Sequence, residues 1–240
     1  MEAVVMACQR KRLNLNPVIV VSSRDDAGGI EKARALRIET VVVRPERYRI
    51  REEFGEELLA VMEKYGVEIL SQNGWLPLTP GNVVEKYLGR MINQHPGPLD
   101  PSRPDFGGKG MYGSRVSCAR VAYEWVTEAE NPWTEATVHW VTKEYDEGEL
   151  IRTARVEFER RGRRVTIAEL VNDPRELMRA TEELQRRLLP MEHENVIEAL
   201  AMVARSERGL GRRDKVLVAE ENWEILEEVK KLARSLYLKG

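Results

Sequence analysis

The segment RMINQHPGPLDP, residues 90–101, sets Asn93 and His95 two residues apart at the end of a short apolar run. Alternation along a strand sends residues i and i+2 to the same side, so an amide donor and a titratable imidazole would face one cleft. Pro96, Gly97 and Pro98 follow at once, and neither helix nor strand continues through them. A carboxylate is available in TVHWVTKEYDEGELI, where Asp146 sits in a turn between two strand-like runs and Gly148 permits a tight backbone. An amide, an imidazole and a carboxylate can together stabilise a developing oxyanion and move a proton. Each also has a bland counterpart: a satisfied structural histidine, or an Asp in an ordinary hairpin turn.

The elements that must position these groups alternate in type. NPVIVVSS (16–23), ETVVV (39–43), VEILSQ (67–72) and GRMINQH (89–95) read as strands; residues 28–38, 51–66 and 80–88 read as helices between them. The alternation predicts an α/β fold, doubly wound on a mostly parallel sheet with right-handed crossovers. Functional groups in such sheets gather beyond the carboxyl ends of strands, where Asn93 and His95 lie. Residues 96–113 hold four prolines and five glycines and must form a long ordered loop. A helix over 114–126 and two strands around a turn in 136–158 follow. From about 166 the chain is mostly helical, with a small strand KVLVA (215–219) and a closing amphipathic helix (220–237). Residues 1–165 are therefore expected to form an α/β domain, with 166–240 as a helical extension packing on it.

Composition excludes several functions. Of 240 residues 32% are charged, yet the net charge is −2 and no polybasic block occurs, so a nucleic-acid footprint is lacking. The clusters ERRGRR (159–164) and ERGLGRR (207–213) read as solvated surface. Cys8 and Cys118 fit no zinc spacing, and no metal site is expected. No apolar run approaches the roughly 20 residues of a membrane span, and the chain reads as cytoplasmic. GKGMYG (108–113) satisfies Gly-x-Gly-x-x-Gly ahead of a helix. A Pro-rich loop precedes it instead of a strand, so it reads as a substrate loop or an anion nest charged by Lys109, with Gly108 and Gly110 supplying backbone.

MINQHPG followed by TVHWVTKEYDEGELI resembles the folate-dependent formyltransferase family, which carries an Asn-x-His-Pro strand end and a Val-His-aromatic-Val-Thr strand leading to an Asp. The seven-residue step from His139 to Asp146 fits that pattern, as do EKYLGRMINQH and GGIEKARALRIET. The similarity covers about residues 2–158. It implies transfer of a formyl group from 10-formyltetrahydrofolate to the amine of glycinamide ribonucleotide in purine synthesis, without a metal or a covalent enzyme intermediate. Asn93 and a protonated His95 would donate to the formyl oxygen, and Asp146 would raise the His95 pKa and relay protons through water.

On the folate side the resemblance implies a pterin slot with one wall from Trp75, Leu76, Pro77 and Leu78. The other wall comes from Thr142, Lys143, Glu144, Tyr145 and Asp146, with Asn93 nearby and Arg51 towards the folate tail. Trp and Pro stand where the family usually has Met and Arg. Gly108, Lys109 and Gly110 are expected on the amine substrate, and Gln185, counted back from Pro190, stands where the family has a Glu. The family's first strand and its Gly-x-Gly-Ser-Asn phosphate turn have no counterpart, because MEAVVMACQRKRL matches the middle of the first helix. Losing a central strand leaves interior backbone unpaired, so a start further upstream, or a fragment, is expected over a working truncated enzyme. Alternatives are a 10-formyltetrahydrofolate hydrolase, an amino-sugar formyltransferase, or a non-catalytic remnant that binds folate or a partner. The expected partners are small molecules, and the chain would be a monomer or a homodimer.

Overall fold

A computed structural model describes residues 1–159, 162 and 164–240. The chain divides into two compact units: Met1–Gln94 with Trp140–Glu144 and Val196–Arg208, and His95–His139 with Tyr145–Asn195 and Gly209–Gly240.

The first unit contains α1 (Glu2–Gln9), β1 (Val20–Ser22), α2 (Gly28–Ala35), β2 (Thr40–Val42), α3 (Arg51–Lys64), β3 (Leu70–Gln72), α4 (Gly81–Lys86) and β4 (Met91–His95) up to Gln94. The expected strand–helix alternation is present throughout. In α3 the apolar residues Phe54, Leu58, Val61 and Met62 recur at helical spacing and are buried, while Glu52 and Glu53 in the first turn suit the positive end of the helix. Gly66, at φ +60°, turns the chain out of that helix, a conformation glycine adopts without a Cβ penalty. β1 pairs in parallel with β2, Val20 beside Thr40, and β3 pairs in parallel with β4, Leu70 beside Met91.

These two strand pairs belong to separate sheets. A cavity of about 780 Å³ is lined by β1 and β3, by Val4, Val5 and Cys8 of α1, and by Leu58 and Met62 of α3. A doubly wound sheet has a central strand in such a place.

The second unit holds the loop 96–113, α5 (Ser114–Val126), β5 (Trp133–Trp140) to His139, β6 (Leu150–Glu157), α6 (Ile167–Asn172), α7 (Arg175–Ala204) to Asn195, and α8 (Trp223–Leu236). β5 and β6 pair antiparallel, with an irregularity between Val138 and His139. Every residue of α5 from Val116 to Val126 is buried, and α8 packs along it. Thr166 and Glu169 form a reciprocal capping box that starts α6.

Gln185 and Pro190 both lie within α7, as the expected helical stretch from about 166 allows. Two expectations are corrected. KVLVA (215–219) is not a strand: the Leu217 N–H donates to the Asp100 carboxylate at 2.9 Å, so a side chain takes the amide that a ladder would need. Arg213, in the cluster read as solvated, is drawn inward by the Glu135 carboxylate and by the Leu99 carbonyl at 2.7 Å. The other cluster, 159–164, lies partly outside the described residues. Among the described residues no helix is long and apolar enough to cross a membrane.

Candidate active site

β4 stops at His95, where Pro96 and Gly97 take over, and the histidine is 3% exposed. A Cβ at Gly97 would run into Val116, so the chain can turn this closely only with glycine. Asp146 follows β5 in left-handed backbone at φ +59°, a conformation that Asp adopts more readily than most non-glycine residues.

Oδ2 of Asp146 accepts the Gly108 N–H at 2.9 Å and lies 3.6 Å from Nδ1 of His95. Oδ1 lies 3.5 Å from Nε2 of His139. Nε2 of His95 is 3.3 Å from the Phe106 carbonyl oxygen. Each edge of the His95 ring therefore faces an acceptor, and only an imidazolium, with a proton on both nitrogens, satisfies both. Loop 105–108 can lie this close because residue 107 is glycine: a Cβ there would stand 2.6 Å from Leu99 Cδ2 and 2.9 Å from Asp146 Cβ.

Burial pushes the His95 pKa down, more than the neighbouring Asp146 charge pulls it up. The carboxylate raises it as expected, but the ring is almost wholly removed from water and burial outweighs that pull. Burial also opposes the charge on Asp146, but His95, His139 and the Gly108 N–H together hold its pKa down at about 2. The Gly108 N–H favours the carboxylate whichever form the ring takes, while burial draws the His95 ring towards its neutral form.

His139 entered the sequence analysis only through its spacing to Asp146 and was given no role in the site. Its signal was a histidine in a strand whose residues from Thr134 to His139 are all buried. The irregularity at Val138/His139 re-aims it, as strand bulges do.

Residues 1–200 match the family described as Formyl transferase. The chain belongs to the formyl transferase family. It is 32% identical over 211 residues to the chloroplastic phosphoribosylglycinamide formyltransferase of Arabidopsis thaliana, a match covering 87% of this chain but 62% of that protein. The crystal structure of glycinamide ribonucleotide transformylase 1 from Symbiobacterium toebii is similar at a TM-score of 0.65 and 26% identity, over 85% of this chain and 82% of that one. The phosphoribosylglycinamide formyltransferase structure from Brucella melitensis is similar at a TM-score of 0.62 and 26% identity, over 91% and 92%. The family match extends past residue 158, where the sequence motifs fade.

The other residues marked out by the family motifs fall as follows. Trp75, Leu76, Pro77 and Leu78 lie between β3 and α4 in the first unit. The Trp75 ring stacks on Phe54 with centroids 6.2 Å apart, and Leu76 is exposed. Trp75 and Val141 pack on the same apolar cluster, which puts the segment leading into Thr142, Lys143 and Glu144 beside that loop. Thr142 donates its hydroxyl to the Glu144 carbonyl at 3.1 Å, and Lys143 pairs with Glu85 of α4. Arg51 is exposed at the first position of α3, next to Glu52, whose carbonyl accepts the Asn82 side chain of α4 at 3.1 Å.

Tyr145, half-buried, belongs to the second unit together with Asp146. On the amine side, Gly108 and Gly110 have φ +93° and +82°, Lys109 is exposed, and the Gly110 carbonyl accepts from Arg115 at 3.0 Å. Gln185 of α7 exchanges hydrogen bonds of 3.0 and 3.2 Å with Ser114, the first residue of α5. The family motifs had left Gln185 distant in sequence; the fold brings it to the end of the glycine-rich loop.

Proposed function

We propose that this chain transfers the formyl group of 10-formyltetrahydrofolate to the amine of glycinamide ribonucleotide. One observation carries the reading: the buried Asp146 carboxylate set against the His95 ring at the end of β4. As the amine adds to the formyl carbon, negative charge grows on the formyl oxygen and positive charge on the nitrogen. Asn93, two residues upstream of His95 on the same strand, donates its amide N–H to that oxygen, and His95 donates a ring N–H, exchanging one of its two protein acceptors for the oxyanion. Asp146, already ionised, takes up the proton that the nitrogen loses, through water, and shares it with His95. As the intermediate collapses, the C–N10 bond breaks and the proton passes to N10 of the departing tetrahydrofolate.

Trp75, Leu76, Pro77 and Leu78 hold one side of the pterin, Thr142 to Tyr145 the other, and Arg51 the carboxylates of the tail. The fit is supported by an orphaned donor: Nε1 of Trp75 is buried and, among the described residues, finds no hydrogen-bond partner. Pro77 has no N–H to offer, so the pterin contacts on that wall come from its neighbours. Gly108, Lys109, Gly110 and Gln185 are assigned to glycinamide ribonucleotide, supported by the Gln185–Ser114 link. The chemistry is assigned to residues 1–165, with 166–240 supplying Gln185.

The test is to follow loss of 10-formyltetrahydrofolate with and without glycinamide ribonucleotide. The reading requires turnover that depends on the amine and yields formylglycinamide ribonucleotide in equal amount. Formate release without the amine would make the chain a hydrolase, and binding without turnover a remnant; either outcome overturns it.

A further inference from the structure

Asp105 is a carboxylate that neither the motifs nor the mechanism uses. Its Oδ2 accepts the Asp100 N–H at 2.7 Å and its Oδ1 accepts the Gly107 N–H at 2.8 Å, so one side chain bridges both ends of the turn 100–107. Within that turn, Phe106 is anchored with its ring edge-on to Tyr123 at 5.4 Å and with the Arg120 guanidinium 4.8 Å from its centroid. The turn delivers two backbone groups to the site: the Phe106 carbonyl to His95 and the Gly108 N–H to Asp146. Lys230 of α8 ties the same turn by donating to the Asp105 carbonyl at 3.1 Å.

We propose that Asp105 is a positioning residue for His95 and Asp146: its carboxylate sets the turn that aims the Phe106 carbonyl and the Gly108 N–H, and protonation of that carboxylate loosens the aim. The inference rests on the reading of His95 and Asp146 as the reacting pair. A carboxylate offers an acceptor to each of the two amides. A protonated carboxyl group presents an O–H where an amide N–H already points, and one of the two bonds is lost.

The charged surroundings are mixed. Burial pushes the Asp105 pKa up to about 6; the Asp100 and Gly107 amides and the Lys230 charge pull it down, and Asp146 pushes it up. Arg213 faces it with a positive charge, and the His95 ring meets the same turn at Phe106. The carboxylate thus titrates within the range where an enzyme operates.

Two measurements test this. In the unmodified protein, the amide resonances of Gly107 and Gly108 are followed by NMR from pH 8 to 4.5, without substrate. Both are expected to move together with a midpoint near pH 6. In Asp146→Asn the Gly107 movement should remain, and in Asp105→Asn it should vanish. This readout involves no turnover, so it holds or fails independently of the reaction assigned to the site.

In the formyl transfer assay, Asp105→Asn is expected to lower kcat at pH 8 by roughly 10- to 100-fold, the scale of a slight misplacement of reacting groups. The KM for 10-formyltetrahydrofolate should stay within about twofold, because none of the residues assigned to hold it lies in this turn. The acid limb of kcat near pH 6 should disappear in the variant. A Gly107 amide that does not titrate between pH 5 and 7, or an Asp105→Asn variant with unchanged kcat and acid limb, overturns the proposal.

Discussion

His95 is held between opposing influences: near-complete burial, which favours the neutral ring, and two facing acceptors, which favour the imidazolium. Burial prevails in the free protein, and this has a thermodynamic consequence. The folded pKa lies below the unfolded value of 6.5, so below that pH the unfolded chain binds a proton that the folded ring resists. Stability from this group is complete above pH 6.5 and is lost as pH falls from there through the lower folded pKa. Urea unfolding between pH 8 and 5 should show a smaller acid loss in His95→Gln than in the unmodified protein. Asp105 has the opposite sign, gaining stability on acidification from its raised pKa, but it does so in both proteins and cancels in the difference. Identical pH slopes would show that burial does not set the charge of this ring. Little of this was legible in the sequence, because side-chain types give the presence of a carboxylate near an imidazole but not the depth at which both lie.

At the scale of elements, the strand–helix alternation through His95 was readable from periodicity, and so was the irregular stretch 96–113. The hydrogen bonds inside that stretch were not. Asp105 and Gly107 look like ordinary loop residues until the turn closes and brings Phe106 and Gly108 against residues 11 and 38 positions away. KVLVA misled for a related reason: β-branched composition marks a segment that fits a half-buried surface, and here Val218 is buried without a ladder. β1, β2 and β3 were expected as runs of five to eight residues and form three each. β1 and β3 each have a partner on one side and the cavity on the other. Val20 and Leu70 donate to Glu39 and Arg90 across their ladders at 2.9 and 2.8 Å, and by alternation Val21 and Ser71 point their amides the other way. Hydrogen exchange at Val21 and Ser71 should therefore be at least about 100-fold faster than at Val20 and Leu70, since unpaired edges open without breaking a ladder. Equal protection at the four amides would mean that the gap is filled.

At the scale of the whole chain, family membership and the buried cluster concern the same stretch of sequence. One is a match across residues 1–200. The other is a geometry in which an ionised carboxylate lies within 3.6 Å of a buried imidazole at a strand end. The chain spans 62% of the length of its Arabidopsis relative, so its activity is a matter for direct measurement. The decisive comparison is kcat for formyl transfer to glycinamide ribonucleotide by the unmodified chain and by Asp146→Asn, with circular dichroism confirming that both are folded. The amide keeps an acceptor for the Gly108 N–H but carries no charge and takes up no proton. A fall in kcat of about 10²- to 10⁴-fold is predicted, the contribution typical of a positioned acid–base group. A folded Asp146→Asn protein whose kcat stays within about threefold of the unmodified chain, a difference below 1 kcal/mol, would contradict the assignment of catalysis to this cluster.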